Sequence, residues 1–391
     1  MSPQVRTTRY IRAALLLGLG FSAQCAELSI DSVTAQVGTS VPLAVRFVAA
    51  GSQVAALQFD LSFDSTTMAL GTAAGANATS AGKTVYSASV AIGLTRVLLA
   101  GLNQNTLSDG PVVTLTALVT NSSAAGAYAL RLTNAIASDQ AGNILPLTTS
   151  DGSVTANGSA SLPPSGIFAQ VASGGGWTTS FTLLNLLPAA NGANLTFWND
   201  DGTPLALPLT FSPELGQLPT TSSSIDFVIP ANGVALVETE LPEAAAATVG
   251  WTRLTAPAGV VGSATFRYQS TATQDLEAVV PLETRTPASF VLPFDNTAGL
   301  TTGVALANGS DTSTANIQII ARNAAGAQLL TGSISLPVRG HTSFMLATRY
   351  PSLVGILGSL EFQNPSGGNI SVLGLRINQT GSLTSIPAQA K

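Results

Sequence analysis

The sequence contains few of the side chains on which enzymatic chemistry depends. Its 391 residues include one cysteine and one histidine, and only 9% of the residues are charged. Lysine occurs only at Lys83 and Lys391, so no basic stripe is available to bind nucleic acid or an anionic membrane. Zinc sites need clusters of histidine or cysteine, and the sequence has none. We therefore expect neither a metal nor a cofactor.

The residues that remain for catalysis are poorly placed for it. The single histidine, His341, follows Gly340 in a predicted turn, where we expect an ordinary surface residue. No G-x-S-x-G motif supplies a nucleophile. The acids lie mostly in turns, since Asp109, Asp151 and Asp201 each precede a glycine of the kind that hairpin turns require. No carboxylate pair for glycoside hydrolysis is recognisable, so an enzyme is not expected.

Apolar and turn-forming residues are abundant instead. Hydrophobic residues make up 45% of the chain, which also has 37 glycines and 21 prolines. Leu57, Phe59 and Leu61 alternate with Gln58 and Asp60, and this period of two is typical of a half-buried strand. Many short strands between turn residues predict an all-β protein built from sandwiches.

The first 26 residues have the composition of a secretory signal peptide. Three arginines lie within Arg6–Arg12, and the apolar run Ala13–Phe21 that follows is too short to span a bilayer. Cleavage is predicted after Cys25 or Ala26, and it changes the net charge from −5 to −8 because three arginines and no acid are removed. No other apolar run approaches the length of a transmembrane helix. We expect a secreted or cell-surface protein, with a lipoprotein acylated on Cys25 as the alternative.

The next segment carries short motifs in a distinctive order. They are Val37-Gly38, Val41-Pro42-Leu43, Leu57–Asp64, Asp109-Gly110, Tyr128, Asp139 with Gly142, and Gly152-Ser153-Val154. This order resembles that of a cohesin domain, which implies a nine-stranded jelly-roll sandwich, close in fold to some cellulose-binding modules. Cohesins hold dockerin domains on extracellular scaffolds. They usually carry an acidic residue, often after an Asn two places earlier, where this chain has Gln58 and Ala56. The resemblance therefore supports the fold better than it supports dockerin binding.

Residues 167–391 contain two similar copies of one pattern. Ile167 aligns with Phe290, a spacing of 123 residues, and the first copy has 17 additional residues within the proline-rich stretch Ala206–Ser224. The repeat predicts two tandem β-sandwiches. It resembles modules without an assigned activity in secreted proteins of soil bacteria. Calcium is an alternative ligand for Asn199–Gly202, but the same turn of the second copy lacks carboxylates, so the turn alone explains the spacing.

These patterns define a predicted domain organisation. It comprises a signal peptide at 1–26, a cohesin-like β-sandwich at 27–156, a linker at 157–166, and β-sandwich repeats at 167–287 and 288–391. The small residues and paired prolines of the linker are the reason for placing the boundary there. The predicted fold class is all-β, with an N-terminal jelly-roll sandwich followed by two tandem sandwiches.

All three tryptophans lie in the first copy. Trp177 aligns with a leucine and is expected in the core, whereas Trp198 aligns with Arg322 and Trp251 aligns with Ser359. We therefore expect Trp198 and Trp251 to face solvent and to be the candidate binding residues, because exposed tryptophans stack on sugars or anchor partner proteins. The alternative is that they pack against the proline-rich insert or the neighbouring module.

Together these features favour a non-enzymatic extracellular binding or adhesion protein. The expected partner is an extracellular polysaccharide, a dockerin-like domain or another surface protein, in a role linked to polysaccharide degradation. A purely structural cell-surface protein is the first alternative. A glycoside hydrolase with an unrecognised carboxylate pair is the second.

Overall fold

A computed structural model describes residues 25–120, 123–159, 164–240, 244–269, 275–365 and 369–391. The predicted signal peptide, apart from Cys25 and Ala26, lies outside these residues. Strands dominate the described ranges, and their α-helices are single short turns, so the prediction of an all-β fold is confirmed. None of the helices in these ranges is long and apolar enough to cross a membrane.

The N-terminal domain is a sandwich of two sheets. Its elements are β1 (Ala26–Ile30), β2 (Ser32–Val37), β3 (Ser40–Val48), β4 (Ala56–Ser62), β5 (Met68–Ala74), α1 (Ala76–Ser80), β6 (Thr84–Ala91), β7 (Leu94–Ala100), β8 (Gly110–Val119), β9 (Gly126–Ser138), β10 (Ile144–Leu145), β11 (Leu147–Ser150) and β12 (Gly152–Ser159). One sheet has the order β11-β1-β3-β8-β5, and the other has the order β2-β12-β9-β4-β7-β6, with β10 added to β9.

Alternation along the strands fills the space between these two sheets. Leu57, Phe59 and Leu61 of β4 are fully or almost fully buried, as their spacing predicts, and they meet Phe47 from the opposite sheet in one core. Burying a side chain of this size contributes about 1.5–3 kcal/mol, so these positions fix which face of β4 turns inward.

The first repeat forms a second sandwich, here called module 1. Its elements are β13 (Pro164–Ser173), β14 (Trp177–Asn185), β15 (Asn191–Trp198), β16 (Leu207–Phe211), a 3₁₀ helix (Pro213–Leu215), β17 (Thr220–Ser222), β18 (Ser224–Ile229), β19 (Val234–Thr239), β20 (Thr248–Thr255), β21 (Val260–Gln269) and β22 (Asp275–Glu283). The strands follow the order β17-β16-β19-β14-β21-β22-β13-β20-β15-β18, and β22 joins the two layers by pairing with both β21 and β13.

The second repeat, module 2, is a sandwich of two separate sheets. Its elements are β23 (Ser289–Asp295), β24 (Thr301–Asn308), β25 (Ala315–Asn323), β26 (Gln328–Leu336), β27 (His341–Met345), α2 (Leu346–Arg349), a 3₁₀ helix (Pro351–Leu353), β28 (Leu357–Gln363), β29 (Ile370–Ile377), β30 (Leu383–Pro387) and β31 (Gln389–Ala390). The sheet orders are β26-β25-β28-β23-β31 and β27-β24-β29-β30.

The two modules share one strand arrangement. The order β13-β20-β15-β18 in module 1 matches β23-β28-β25-β26 in module 2, and β19-β14-β21-β22 matches β27-β24-β29-β30. The extra elements of module 1, β16, β17 and the 3₁₀ helix, lie within the proline-rich insert Ala206–Ser224. Aligned sequence positions therefore occupy equivalent places on equivalent strands.

Strands enter the predicted linker from both sides. β12 continues to Ser159, and β13 begins at Pro164, so much of 157–166 is strand in the described residues. An apolar contact also joins the N-terminal domain to module 1, where Leu118 packs against Val228.

Candidate functional site

An apolar row crosses the outer face of the second sheet of the N-terminal domain. Tyr86 on β6 pairs with Leu98 on β7, Leu98 pairs with Gln58 on β4, and Gln58 pairs with Ile136 on β9. The exposed fractions of Tyr86, Leu98 and Ile136 are 58%, 40% and 42%. Since these four residues are neighbours on adjacent strands, they form one continuous surface, which we call the apolar row.

Strand alternation explains why these side chains point outward. On β7, Thr95, Val97 and Leu99 are buried, whereas Arg96 and Leu98 between them are exposed. An outward-facing position in a half-buried strand is ordinarily polar. Leu98 and its cross-strand neighbours break that rule, and a contiguous exposed apolar surface is a mark of an interaction site.

An ion pair borders the apolar row on one side. Arg96 donates to both carboxylate oxygens of Asp60, with Nε–Oδ1 at 2.7 Å and Nη2–Oδ2 at 2.8 Å, and Asn134 donates to Oδ2 at 2.8 Å. The hydrogen bonds from Arg96 hold the pKa of Asp60 below its usual value. Asp60 is buried beneath the half-exposed arginine, so the face presents a guanidinium at its border.

Small side chains border the row on its other side. Thr84 pairs with Ala100, Ala100 lies next to Ala56, and Ala56 pairs with Ser138. This arrangement gives a surface with an apolar centre and a charged edge. Within the described ranges no group of three or more His, Cys, Asp or Glu side chains could hold a metal ion. The face is suited to docking a protein surface.

Sequence reasoning identified two residues of this face and missed the others. Gln58, which departs from the cohesin pattern, lies at the centre of the apolar row, and Ala56 lies one pair further along. Tyr86, Leu98 and Ile136 were not singled out. The sequence feature that could have identified them is an apolar residue at a position that strand alternation assigns to the solvent side.

The predicted exposure of the two tryptophans is wrong. The exposed fraction of Trp198 is 8% and that of Trp251 is 0%. They are cross-strand partners on β15 and β20, and their rings stack with centroids 6.5 Å apart. Both do point away from the core of module 1, as the repeat indicates, but module 2 covers that side. The ligand contact predicted from their exposure has no support from this geometry.

Loops of module 2 make specific contacts with this tryptophan pair. Trp251 Nε1 donates to the carbonyl oxygen of Arg339 at 2.7 Å, and the Arg339 guanidinium lies 4.5 Å from the ring centroid of Trp198. Arg253 of module 1 forms an ion pair with Asp311 of module 2, with Nη1–Oδ2 at 3.0 Å. The tryptophans therefore belong to the interface that joins the two modules.

The equivalent face of module 2 has a different character. Arg322 pairs with Ser359 on β25 and β28, in the same register as Trp198 and Trp251 on β15 and β20. Arg322 Nη1 donates to Glu361 Oε2 at 3.0 Å. One face of the shared fold is thus aromatic and covered in module 1, but charged in module 2.

His341 is also part of this interface, and its predicted position on the surface is wrong. The side chain is buried between the modules, with Nδ1 2.7 Å from Asp200 Oδ1 and Nε2 3.0 Å from Gln170 Oε1. The neighbouring Asp201 accepts two hydrogen bonds from Thr203, which fit the structural role expected for this turn. Burial of His341 depends on a contact between modules, which the local sequence does not reveal.

The first sandwich is a cohesin-like domain. The family model described as Cohesin domain matches residues 26–156, about a third of the chain, and the predicted resemblance is confirmed for this segment. No curated protein matches the chain.

Solved cohesin structures align with about a third of the chain. The sixth cohesin of Acetivibrio cellulolyticus scaffoldin B, solved in complex with a Cel5 dockerin, is 20% identical, with 34% of this chain and 100% of that chain covered and a TM-score of 0.32. A non-cellulosomal cohesin from the archaeon Archaeoglobus fulgidus is 18% identical, with 34% and 93% covered and a TM-score of 0.30. A type I cohesin–dockerin complex from Clostridium thermocellum is 17% identical, with 34% and 100% covered and a TM-score of 0.31.

Proposed function

We propose that this chain is a non-catalytic extracellular binding protein whose cohesin-like domain docks a partner protein through the apolar row. The exposed row of Tyr86, Leu98 and Ile136 around Gln58 is the observation that supports this proposal. Binding a partner would remove this exposed apolar surface from water, and the neighbouring small side chains leave room for the surface of another folded protein.

A dockerin-like domain is the first partner to test. Cohesins of solved complexes bind dockerins, and the cohesin-like domain here presents a flat sheet face. Gln58 and Ala56 replace the acidic residue and the asparagine that are usual in the family. The partner must therefore gain its affinity from apolar contact and from Arg96 rather than from a free carboxylate at this position.

The extracellular location is part of the proposal. The basic and apolar segments before Cys25 support export, and the alternative is anchoring through an acylated Cys25. N-terminal sequencing of exported protein should find Ala26 or Glu27 at the mature terminus. A lipid-modified Cys25 would establish the alternative, and a chain that keeps residues 1–20 would refute export.

The binding experiment uses purified dockerin domains of several types and the mature chain in calorimetric titrations. Leu98→Asp places an unpaired charge at the centre of the row, and we expect it to weaken binding by about tenfold or more. Leu329→Asp in module 2 is the matched control, because Leu329 is also 40% exposed and lies outside the row. Equal affinities of the Leu98→Asp variant and the wild type would contradict docking by this face.

Two other functions remain as outcomes of the same experiments. A chain that binds no dockerin and no other surface protein would be a structural spacer at the cell surface. Release of reducing sugar from polysaccharides by the purified chain would indicate a hydrolase instead.

A further inference from the structure

A large cleft lies between the cohesin-like domain and module 1, and Asp311 and Arg339 of module 2 also line it. Its volume is about 1150 Å³, above the roughly 300–1,000 Å³ that is common for small-molecule pockets. One wall includes the start of β5 and the turn between β6 and β7, and the other includes β15, β18 and the insert. The cleft is separate from the apolar row. Its size suits a chain of linked units rather than one small molecule.

Direct contacts between the two domains set the shape of the cleft. Ser89 donates a hydrogen bond to the carbonyl oxygen of Gly216, and the Gly192 N–H donates to Ser40 Oγ at 2.8 Å. With the apolar contact between Leu118 and Val228, these bonds hold the walls in one arrangement. The cleft is therefore a feature of the assembled chain, and neither domain forms it alone.

The lining mixes polar and apolar residues, and its charges are balanced. It includes eleven serine and threonine residues and four charged groups, Asp226, Asp311, Arg253 and Arg339. Two charges of each sign give no net charge when all four are ionised. Both arginines also form ion pairs with Asp311, so neither is a free cation for a phosphate or carboxylate ligand. The lining favours a neutral ligand with many hydrogen-bonding groups.

Four polar side chains, those of Asn194, Thr196, Ser224 and Asp226, stand next to one another on β15 and β18. Asn194 Nδ2 donates to Ser224 Oγ at 3.0 Å and to Asp226 Oδ1 at 3.2 Å, and Asn194 Oδ1 accepts from Thr196 Oγ1 at 2.8 Å. Burial raises the pKa of Asp226 to about 6, because the charged form of the carboxyl is poorly solvated at this position. An adjacent carboxyl, amide and hydroxyl match the alternating donors and acceptors of neighbouring hydroxyl groups on a sugar ring.

Two buried donors at the cleft lack partners. Among the described residues, Trp198 Nε1 and Arg253 Nε have no hydrogen-bond acceptor, and both residues line the cleft. An unpaired buried donor costs about 1–3 kcal/mol. Both atoms are enclosed by protein, so a ligand oxygen would reach them only after a local rearrangement. The Arg339 guanidinium lies over the Trp198 ring and Trp251 stacks beside it, so this indole is not a free stacking platform. A ligand here is held by hydrogen bonds to the lining.

We propose that this cleft binds a neutral oligosaccharide through Asp226, Asn194 and the surrounding hydroxyl groups. The proposal goes beyond protein docking by the apolar row and does not depend on it. The two surfaces give the chain separate sites for a protein and for a glycan.

The test measures binding of three neutral hexasaccharides, β-1,4-linked glucose, xylose and mannose, to the mature chain by calorimetry. We expect at least one to bind, and Asp226→Asn or Asn194→Ala to weaken it by about tenfold or more, as for loss of a hydrogen bond to a charged group. Glu277→Gln is the matched control, because this carboxylate is 59% exposed and outside the cleft. Leu98→Asp should leave sugar binding unchanged, which separates this proposal from docking by the apolar row.

Three results would overturn the proposal. The first is no heat of binding with any hexasaccharide at about 1 mM, where even weak sites are occupied. The second is wild-type affinity in both cleft variants, which would place the sugar elsewhere. The third is equal weakening by Glu277→Gln, which would show that the effect is not local. Thermal melts of each variant confirm that lost binding does not reflect unfolding.

Discussion

Replacing Trp251 with alanine should destabilise the protein strongly. The indole is fully buried, stacks on Trp198 and donates a 2.7 Å hydrogen bond to the Arg339 carbonyl oxygen. Large-to-small changes at such aromatic positions cost about 3–5 kcal/mol. Trp251→Phe removes the hydrogen bond and part of the ring, so it should cost more than the roughly 1 kcal/mol of the hydrogen bond but less than the alanine variant. Urea denaturation followed by circular dichroism gives the free energy of unfolding of each variant.

An exposed aromatic residue provides the control for this experiment. Tyr86→Ala removes a ring that is 58% exposed, and it should change the free energy of unfolding by no more than about 0.5 kcal/mol. Because Trp251 joins two modules, its loss should also separate their unfolding into two transitions. A cost below about 1 kcal/mol for Trp251→Ala would refute the packing described here and restore the exposed position that the repeat alignment suggests.

Two carboxyl groups give opposite predictions for the dependence of stability on pH. Burial raises the pKa of Asp226 to about 6, so the folded state holds this proton more tightly than the unfolded chain and loses stability as the pH rises through that range. Asp226→Asn removes the cost of burying the charged carboxylate, so it should raise the free energy of unfolding at pH 7. The gain should be about 1–2 kcal/mol, because the carboxyl is partly open to the cleft, and it should be small at pH 4. Thermal melts at both pH values test this. Asp60 is the reverse case, since the bonds from Arg96 lower its pKa and its stabilising effect disappears only as the pH falls through the folded pKa. Asp60→Asn should cost about 1–3 kcal/mol at pH 7 and little in strong acid, and equal costs at both pH values would contradict this account.

Local patterns in the sequence were sufficient to predict the all-β class and the inward face of β4, and one resemblance predicted the first domain. Alternation at Leu57, Phe59 and Leu61 fixes their side of β4, because a shift by one residue would expose all of them. The repeat alignment also predicts that Trp198 and Trp251 face away from the core of module 1. These inferences depend on neighbours within one strand or on one pair of copies.

The sequence could not show what lies against each outward face. Whether Trp198 faces solvent or module 2 depends on how two separate sandwiches pack, and no periodicity within a strand encodes that contact. The burial of His341 could not be predicted for the same reason, since its hydrogen-bond partners Gln170 and Asp200 belong to another module. The cleft is still less accessible to sequence reasoning, because its walls come from separate domains whose packing no local pattern encodes.

The contrast between the two equivalent faces has a consequence for assembly. A module that offers an aromatic face to the next copy could in principle add copies without limit, because a head-to-tail contact does not close on itself. In module 2 the same positions carry Arg322, Ser359 and Glu361, and a further module would have to bury these charges. The charged face of module 2 therefore disfavours the addition of another module by the contact that joins module 1 to module 2. Tryptophan at positions 322 and 359 would give this face the aromatic character of module 1.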